Sequence, residues 1–357
     1  MPQQIFNVLI LGASYGSLLS TKLLLAGHAV TIVCLPDEAE LINAEGTRVR
    51  ITPRGHTAAL EIDSRTLPGT LSAATPDEAD PSAYDLIVLA MQEPQYGAAG
   101  PRGLLTRAAK ARIPCMSIMN MPPLTYLGRI PGLETEDLDA CYTNPELWRE
   151  LDPQLMTLAS PDPQAFRPPD EAPNVLHVGL PTNFKVAPFA SDAHTDMLRE
   201  IEGSIDAARF NTNGQSIEVP VKLKVHTSLF VPMAKWSMLL AGNYRCIGDE
   251  KMQSIRDAVH GDIEASRAVY DWVGSVCRRL GAADKDLVPF EKYAAAAEAL
   301  LKPSSVARAV FAGAPRVERV DRLVQAIGRQ HGMRSEAVDE IVARCDKKLN
   351  ENLRTAA

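Results

Sequence analysis

The sequence has no basic cluster, no paired cysteines, no long apolar run and no complete glycine fingerprint, and each absence narrows what the chain can do. Its 37 lysines and arginines are outweighed by 44 acids, giving a formal net charge of -7. No stretch gathers the positive charge needed to displace counterions from phosphate, which argues against a broad nucleic-acid surface. The six cysteines (Cys34, Cys115, Cys141, Cys246, Cys277, Cys345) are far apart and form no C-x-x-C pair. That spacing suggests neither a zinc site nor a disulfide framework, and no metal is expected. No apolar run approaches the eighteen or so residues of a membrane span. Met1 to Gln4 lead into an apolar run without a basic region or cleavage site, from which a soluble, reducing, cytoplasmic setting is expected.

What is present is ordinary globular material: 357 residues, 46% hydrophobic and 23% charged, a length that suggests two domains. Ile5 to Leu11 reads as a strand, Leu18 to Ala26 as an amphipathic helix, and Ala29 to Val33 as a second strand. Asp37 to Ala44 looks helical and Thr47 to Thr52 alternates as a strand. After a proline-punctuated stretch from Leu67 to Pro81, the apolar run Tyr84 to Ala90 suits a strand buried on both faces of a parallel sheet. Ala108 to Ile118 repeats the pattern of helix then strand. Residues 121–173, rich in proline and acids, read as an irregular excursion. Asn174 to Gly179 returns as a strand, Ala193 to Ala208 as a helix and Ser216 to Val219 as a short strand. From there Phe230 to Tyr244, Ile255 to Leu280, Tyr293 to Leu301 and Val317 to Gln330 carry helical spacing. The expected fold is α/β: an N-terminal Rossmann-type doubly wound sheet over residues 1–220, followed by an all-helical C-terminal domain over 221–357.

The turn between the first strand and helix is Gly12-Ala13-Ser14-Tyr15-Gly16-Ser17. Such a turn aims free backbone N–H groups and a helix N-terminus at a dinucleotide pyrophosphate, so NAD or NADP is the expected ligand. The full fingerprint is G-x-G-x-x-G, and Ser14 and Ser17 stand in two of its glycine places. If Gly16 is instead the closing glycine, the turn is one residue short. Ligands of such a sheet sit outside the carboxyl ends of the strands, where Gln92 and Asn120 fall.

The first helix of the second domain places Lys235 and Asn243 eight residues apart, about two turns, on one side with Leu239. An isolated lysine on such a helix is ordinarily a snorkelling surface residue. The order of features nevertheless resembles the ketopantoate reductase (2-dehydropantoate 2-reductase) family: a glycine turn, a strand ending near Gln92, a strand ending in Asn120, then Lys235 with Asn243 eight residues on. Ala26-Gly27-His28, Ile42-Asn43-Ala44-Glu45-Gly46, Lys302-Pro303-Ser304-Ser305 and His331-Gly332 agree in order, and the resemblance spans essentially the whole chain. It implies a reductase that transfers hydride from NADP, with NAD not excluded, to the carbonyl of a 2-oxo acid or related small molecule. It further implies Lys235 as general acid, Asn120 as the residue positioning nicotinamide and lysine, and Asn243 and Ser305 as substrate ligands. An ammonium near a carbonyl that receives hydride stabilises and protonates the developing oxyanion.

The chain departs from that family in several places. Met121-Pro122-Pro123 follows Asn120 where N-G-x-G is usual, Gln92 replaces a lysine, and Leu239 replaces a substrate-binding asparagine, favouring a more apolar substrate. The family's glutamate corresponds to Glu318 by one count, which would join the glycine turn, Gln92 and Asn120 at the cofactor, or to Arg316 by another; a solvated helix-face carboxylate is the default for Glu318. Arg245 or Arg316 could hold a substrate carboxylate. Cys34-Leu35-Pro36 end the second strand, with Asp37 just beyond, so neither the acid that favours NAD nor an arginine for a 2′-phosphate stands there. The lean to NADP comes from the resemblance alone. Alternatives are an opine-type or other two-domain dehydrogenase, for which His226 and His260 are candidates, and a non-catalytic NAD(P)-binding sensor. A short-chain dehydrogenase is set aside because no Y-x-x-x-K occurs. Trp236, Tyr270 and Trp272 on helices are compatible with a homodimer.

Overall fold

A computed structural model describes residues 4–212 and 214–356. Among the described residues fourteen strands form: β1 (Asn7–Leu11), β2 (Ala29–Val33), β3 (Arg48–Ile51), β4 (Leu60–Asp63), β5 (Thr70–Ala74), β6 (Leu86–Leu89), β7 (Cys115–Ser117), β8 (Met156–Ser160), β9 (Gln164–Phe166), β10 (Val175–Leu180), β11 (Phe184–Val186), β12 (Phe210–Thr212), β13 (Gln215–Ile217) and β14 (Leu223–Val225). The helices are α1 (Ala13–Leu25), α2 (Pro36–Glu45), α3 (Ala99–Ala111), α4 (Leu124–Leu127), α5 (Pro145–Arg149), α6 (Asp192–Ala207), α7 (Lys235–Met238), α8 (Ile255–His260), α9 (Ile263–Leu280), α10 (Phe290–Ala297), α11 (Ser305–Phe311), α12 (Val320–Gln330) and α13 (Glu336–Ala356). None of the described helices is long and apolar enough to cross a membrane.

The chain forms two compact units. The first takes in the chain up to Met91 with Gln95–Tyr126 and Glu146–Thr227; the second takes Gln92–Pro94, Leu127–Pro145 and the chain from Ser228 onward. The first unit carries an 8-stranded sheet in the order β14-β11-β8-β7-β6-β1-β2-β5. Within it β8-β7-β6-β1-β2-β5 run parallel, which in chain order is the 3-2-1-4-5-6 arrangement of a doubly wound dinucleotide fold. The reversal of strand order falls between β1 and β6. Leu86–Leu89 is buried throughout, as expected for a central parallel strand covered on both faces. A 4-stranded sheet, β4-β3-β10-β9, lies in the same unit. The second unit is helical, as the loss of strand alternation after β14 requires.

Two parallel strands run where sequence periodicity gives none. β5 sits inside the proline-punctuated stretch, and β8, buried at every position, sits inside the segment read as irregular. The segment 127–145 joins the helical unit rather than looping from the sheet. The weaker family-like motifs have local structural work. Asn43 both donates to and accepts from the backbone of Ala73, tying α2 to β5. His28 is buried, accepting from the Phe6 N–H, and Gly27 and Gly332 hold left-handed turns after α1 and α12. The six cysteines are free, five of them buried and Cys34 half-buried.

Candidate functional site

In the first unit the site is built at the switch point. Gly12 caps α1 with φ 108° and ψ 110°, a backbone conformation open to glycine. A Cβ there would lie 2.6 Å from Met91 Cγ and 2.9 Å from the Ala90 carbonyl oxygen, so the turn presses against the end of β6. A Cβ on Gly16 would lie 2.6 Å from Ile10 Cγ2. Gly16 therefore does the work of the closing glycine, letting the helix approach its strand, and the turn matches the alignment that is one residue short. Ala13 and Ser17 are buried, Ser14 is exposed, and the Ser17 hydroxyl donates to the Ala13 carbonyl within the helix. The Tyr15 hydroxyl donates to the Pro163 carbonyl, and burial pushes its pKa well above the usual phenol value. No side chain caps the start of α1 and no acid occupies its first turn, so its leading N–H groups remain suited to an anion.

Asn120 lies three residues past β7 and is half-buried. Its Oδ1 is buried without a hydrogen-bond partner among the described residues. An orphaned buried acceptor is uncommon and costs free energy unless a ligand or water completes it. The glycine cradle and this atom both fit a nicotinamide dinucleotide. The sequence shows no arginine around the end of β2, yet the fold supplies one. Arg167, from the turn after β9, donates through Nη2 to Glu38 Oε1 in the first turn of α2.

In the second unit the segment expected as one helix is broken. A 3-10 turn over Val231–Ala234 leads into α7, then a π turn over Leu239–Asn243 and a 3-10 turn over Tyr244–Cys246. The Tyr244 N–H donates to the Leu239 carbonyl, five residues back. The Tyr293 hydroxyl donates to the Met238 carbonyl at 3.1 Å, and a Cβ on Gly242 would lie 1.9 Å from that hydroxyl. A phenol wedged against the helix widens the turn, and Gly242 makes room for it. Eight residues of regular α-helix overshoot two turns by about 80°; a wider turn reduces that overshoot. Lys235, Met238 and Asn243 are half-buried, whereas Trp236, Ser237 and Leu239 to Gly242 are buried. The half-exposed positions step by three and then by five.

Ser304 caps α11 and donates to the Asn243 carbonyl at 2.7 Å, while Ser305, on the first turn of the same helix, is exposed. Arg245 is half-buried and donates through Nη1 to Ser266 Oγ. Burial holds its pKa below the usual guanidinium value, and among the described residues no carboxylate forms an ion pair with it. His260 bonds the Ala294 carbonyl at 2.9 Å, a packing role. Among the described residues no metal-binding group of His, Cys, Asp and Glu occurs.

Glu318 departs from the solvated reading. It is 7% exposed, its Oε1 accepts from the Glu93 N–H at 3.4 Å, and its carbonyl accepts from the Tyr244 hydroxyl. Arg316, the other residue aligned with the family's glutamate, is exposed. Glu93, 1% exposed, accepts from the Thr143 N–H at 3.0 Å. It follows the exposed Gln92 directly, and a lone acid after a strand gave no sign of this burial.

No protein-family model and no curated protein matches the chain in sequence. Solved structures do match over its full length. A 2-dehydropantoate 2-reductase from Methylococcus capsulatus is 17% identical over 98% of both chains, with a TM-score of 0.65. A dimeric ketopantoate reductase from Staphylococcus aureus is 12% identical over 97% of this chain and 99% of that one, at 0.61. A D-mandelate dehydrogenase solved with NADH and anilino(oxo)acetate is 13% identical over 97% and 99%, at 0.63. At these identities the likeness establishes the fold: an N-terminal Rossmann domain with a helical C-terminal domain.

Proposed function

We propose that the chain is an NAD(P)-dependent oxidoreductase of the ketopantoate reductase type, reducing the carbonyl of a 2-oxo acid or a related small compound. The observation that carries this reading is the carboxyl edge of the first unit, where Gly12 and Gly16 shape a helix entry at the switch point. The orphaned Oδ1 of Asn120 and the likeness to reductases and to a mandelate dehydrogenase support it.

The cofactor, when bound, supplies hydride to the substrate carbonyl carbon. The α1 turn would hold its pyrophosphate on backbone N–H groups, and Asn120 would accept a hydrogen bond from its carboxamide. Lys235 donates a proton to the carbonyl oxygen as negative charge develops there, giving the alcohol. Asn243 and Ser305 bind the substrate's polar groups. Arg245, which forms no ion pair among the described residues, holds a carboxylate. Glu318 is buried beside the chain that leaves β6 and orders that segment for the cofactor. The buried Leu239 is consistent with an apolar substituent on the substrate. A homodimer is proposed by analogy with the dimeric relative, and light scattering checks it.

The test follows NADPH and NADH absorbance across a panel of 2-oxo acids, with wild type beside Lys235→Ala. Turnover should fall by about a hundredfold or more in the variant, with cofactor affinity retained. Unchanged turnover would remove Lys235 from the chemistry. Cofactor binding without turnover over the whole panel would favour a sensor, and absence of cofactor binding would overturn the reading.

A further inference from the structure

We infer that Glu38, held by Arg167, reads the adenosine ribose of the cofactor, and that the chain therefore selects NAD(H) over NADP(H). The inference rests on the proposed dinucleotide site and concerns the end of β2, where the ribose of such a cofactor lies.

Beyond Val33 the chain runs through Cys34, whose N–H donates to the Ala74 carbonyl at 3.1 Å, and through Leu35, which is 73% exposed. It enters α2 at Pro36, with Asp37 and Glu38 in the first turn. The strand end itself offers no polar side chain to a ribose. Arg167 arrives from 129 residues away to bond Glu38, and the two side chains are 27% and 13% exposed. Both charges lie beside the strand end. Burial pushes the Cys34 thiol up to about 12, the Glu38 carboxylate pushes the same way, and the Arg167 guanidinium pulls back.

The sign of the charge decides between the cofactors. Among the described residues Arg167 is the one cation paired with Glu38, which already takes its charge. Asp37 and Glu40 are exposed on the same helix start. A 2′-phosphate would bring about two further negative charges to a place that is already net negative. To win Arg167 it would have to leave Glu38 unpaired and largely buried, which is costly. A 2′-hydroxyl asks for less. Among the described residues Glu38 Oε2 has no hydrogen-bond partner, so it accepts from the ribose while Oε1 keeps Arg167. Arg167 is thus a positioning residue that fixes the carboxylate, and Leu35 offers an apolar surface for the adenine.

The experiment titrates NADH and NADPH into wild type, Glu38→Gln and Arg167→Gln, following nicotinamide fluorescence, with calorimetry of 5′-AMP and adenosine 2′,5′-bisphosphate as a readout free of the nicotinamide. Wild type should bind NADH about tenfold or more tightly than NADPH. Glu38→Gln should release Arg167 and shrink that ratio about tenfold, with NADPH binding tightened. Arg167→Gln should weaken NADH several-fold without gain for NADPH, an outcome that a purely structural ion pair would not produce. Equal binding of the two cofactors, tighter NADPH binding in wild type, or a ratio unchanged in Glu38→Gln would overturn this inference and leave the proposed activity standing. Failure to bind either cofactor would overturn both.

Discussion

Lys22 offers the sharpest quantitative test of the first unit. It lies on α1 yet is 2% exposed, and its Nζ donates to the Val219 carbonyl at 2.6 Å. Burial, and then Lys222, lower its pKa to about 7, against the opposing pull of Glu218 and Asp206. In the unfolded chain the same amine titrates near its solution value of about 10.4. Between these two values the unfolded chain holds a proton that the folded chain has released, so stability rises with pH across the window from about 7 to about 10, by up to about 1.4 kcal/mol per unit. Below pH 7 both states are protonated, and the folded state carries the whole cost, about 4–5 kcal/mol. Lys22→Met removes the charge but leaves the Val219 carbonyl unsatisfied, at about 1–3 kcal/mol. The variant should therefore be more stable than wild type by about 2–3 kcal/mol at pH 6.5. That advantage should vanish or reverse by pH 9. Urea unfolding of both proteins at pH 6.5, 7.5, 8.5 and 9.5, followed by far-UV circular dichroism, measures the difference, and groups common to both cancel. A stability difference that stays constant over that range would refute the reasoning, because Lys22 would then titrate alike in both states.

Substitutions at two further places test the packing of each unit. Gly16→Val places a branched side chain where a Cβ already comes within 2.6 Å of Ile10 Cγ2; it should cost about 1–3 kcal/mol and weaken cofactor binding, read together by thermal shift with and without NADH. In the second unit Arg319 bonds Asp321 through Nε at 3.0 Å and Nη2 at 2.9 Å, and Asp321 is fully buried. Arg319→Leu strands that carboxylate and should cost about 3–5 kcal/mol in denaturant unfolding, whereas the double change Arg319→Leu/Asp321→Leu should recover most of the loss.

Much of the fold is legible in the sequence because hydrophobic period and turn chemistry agree there. Ala29 to Val33 is a strand at its expected bounds, and α2 and α6 fall within a residue of theirs. β5 is missed because Thr70–Ala74 is made of small residues without alternation and stands beside prolines; its partner β2 draws it into the sheet. β8 is missed because Pro153 and Pro161 bracket it, although Met156–Ser160 is itself apolar and fully buried. Prolines on both sides of a run mark its ends and say nothing against a strand between them.

The site is legible only where a residue's role depends on its near neighbours. Gly12 and Gly16 act on the adjoining strand ends, so the turn can be found from thirty residues of sequence. Arg167 and Glu38 meet across 129 residues, and no local pattern links them; the strand end looks empty until the second sheet delivers the arginine. The π turn has the same origin. Regular spacing predicts Lys235 and Asn243 on one side, but an α-helix would leave them about 80° apart. Their half-exposed alignment comes from a hydroxyl on α10 that holds the Met238 carbonyl, and from the absence of a side chain at Gly242. Gly242 in a helix otherwise costs stability relative to alanine. Its presence immediately before Asn243, the proposed substrate ligand, is explained by the turn it permits, so the geometry proposed for catalysis depends on a glycine and a tyrosine to which no part in the chemistry is assigned.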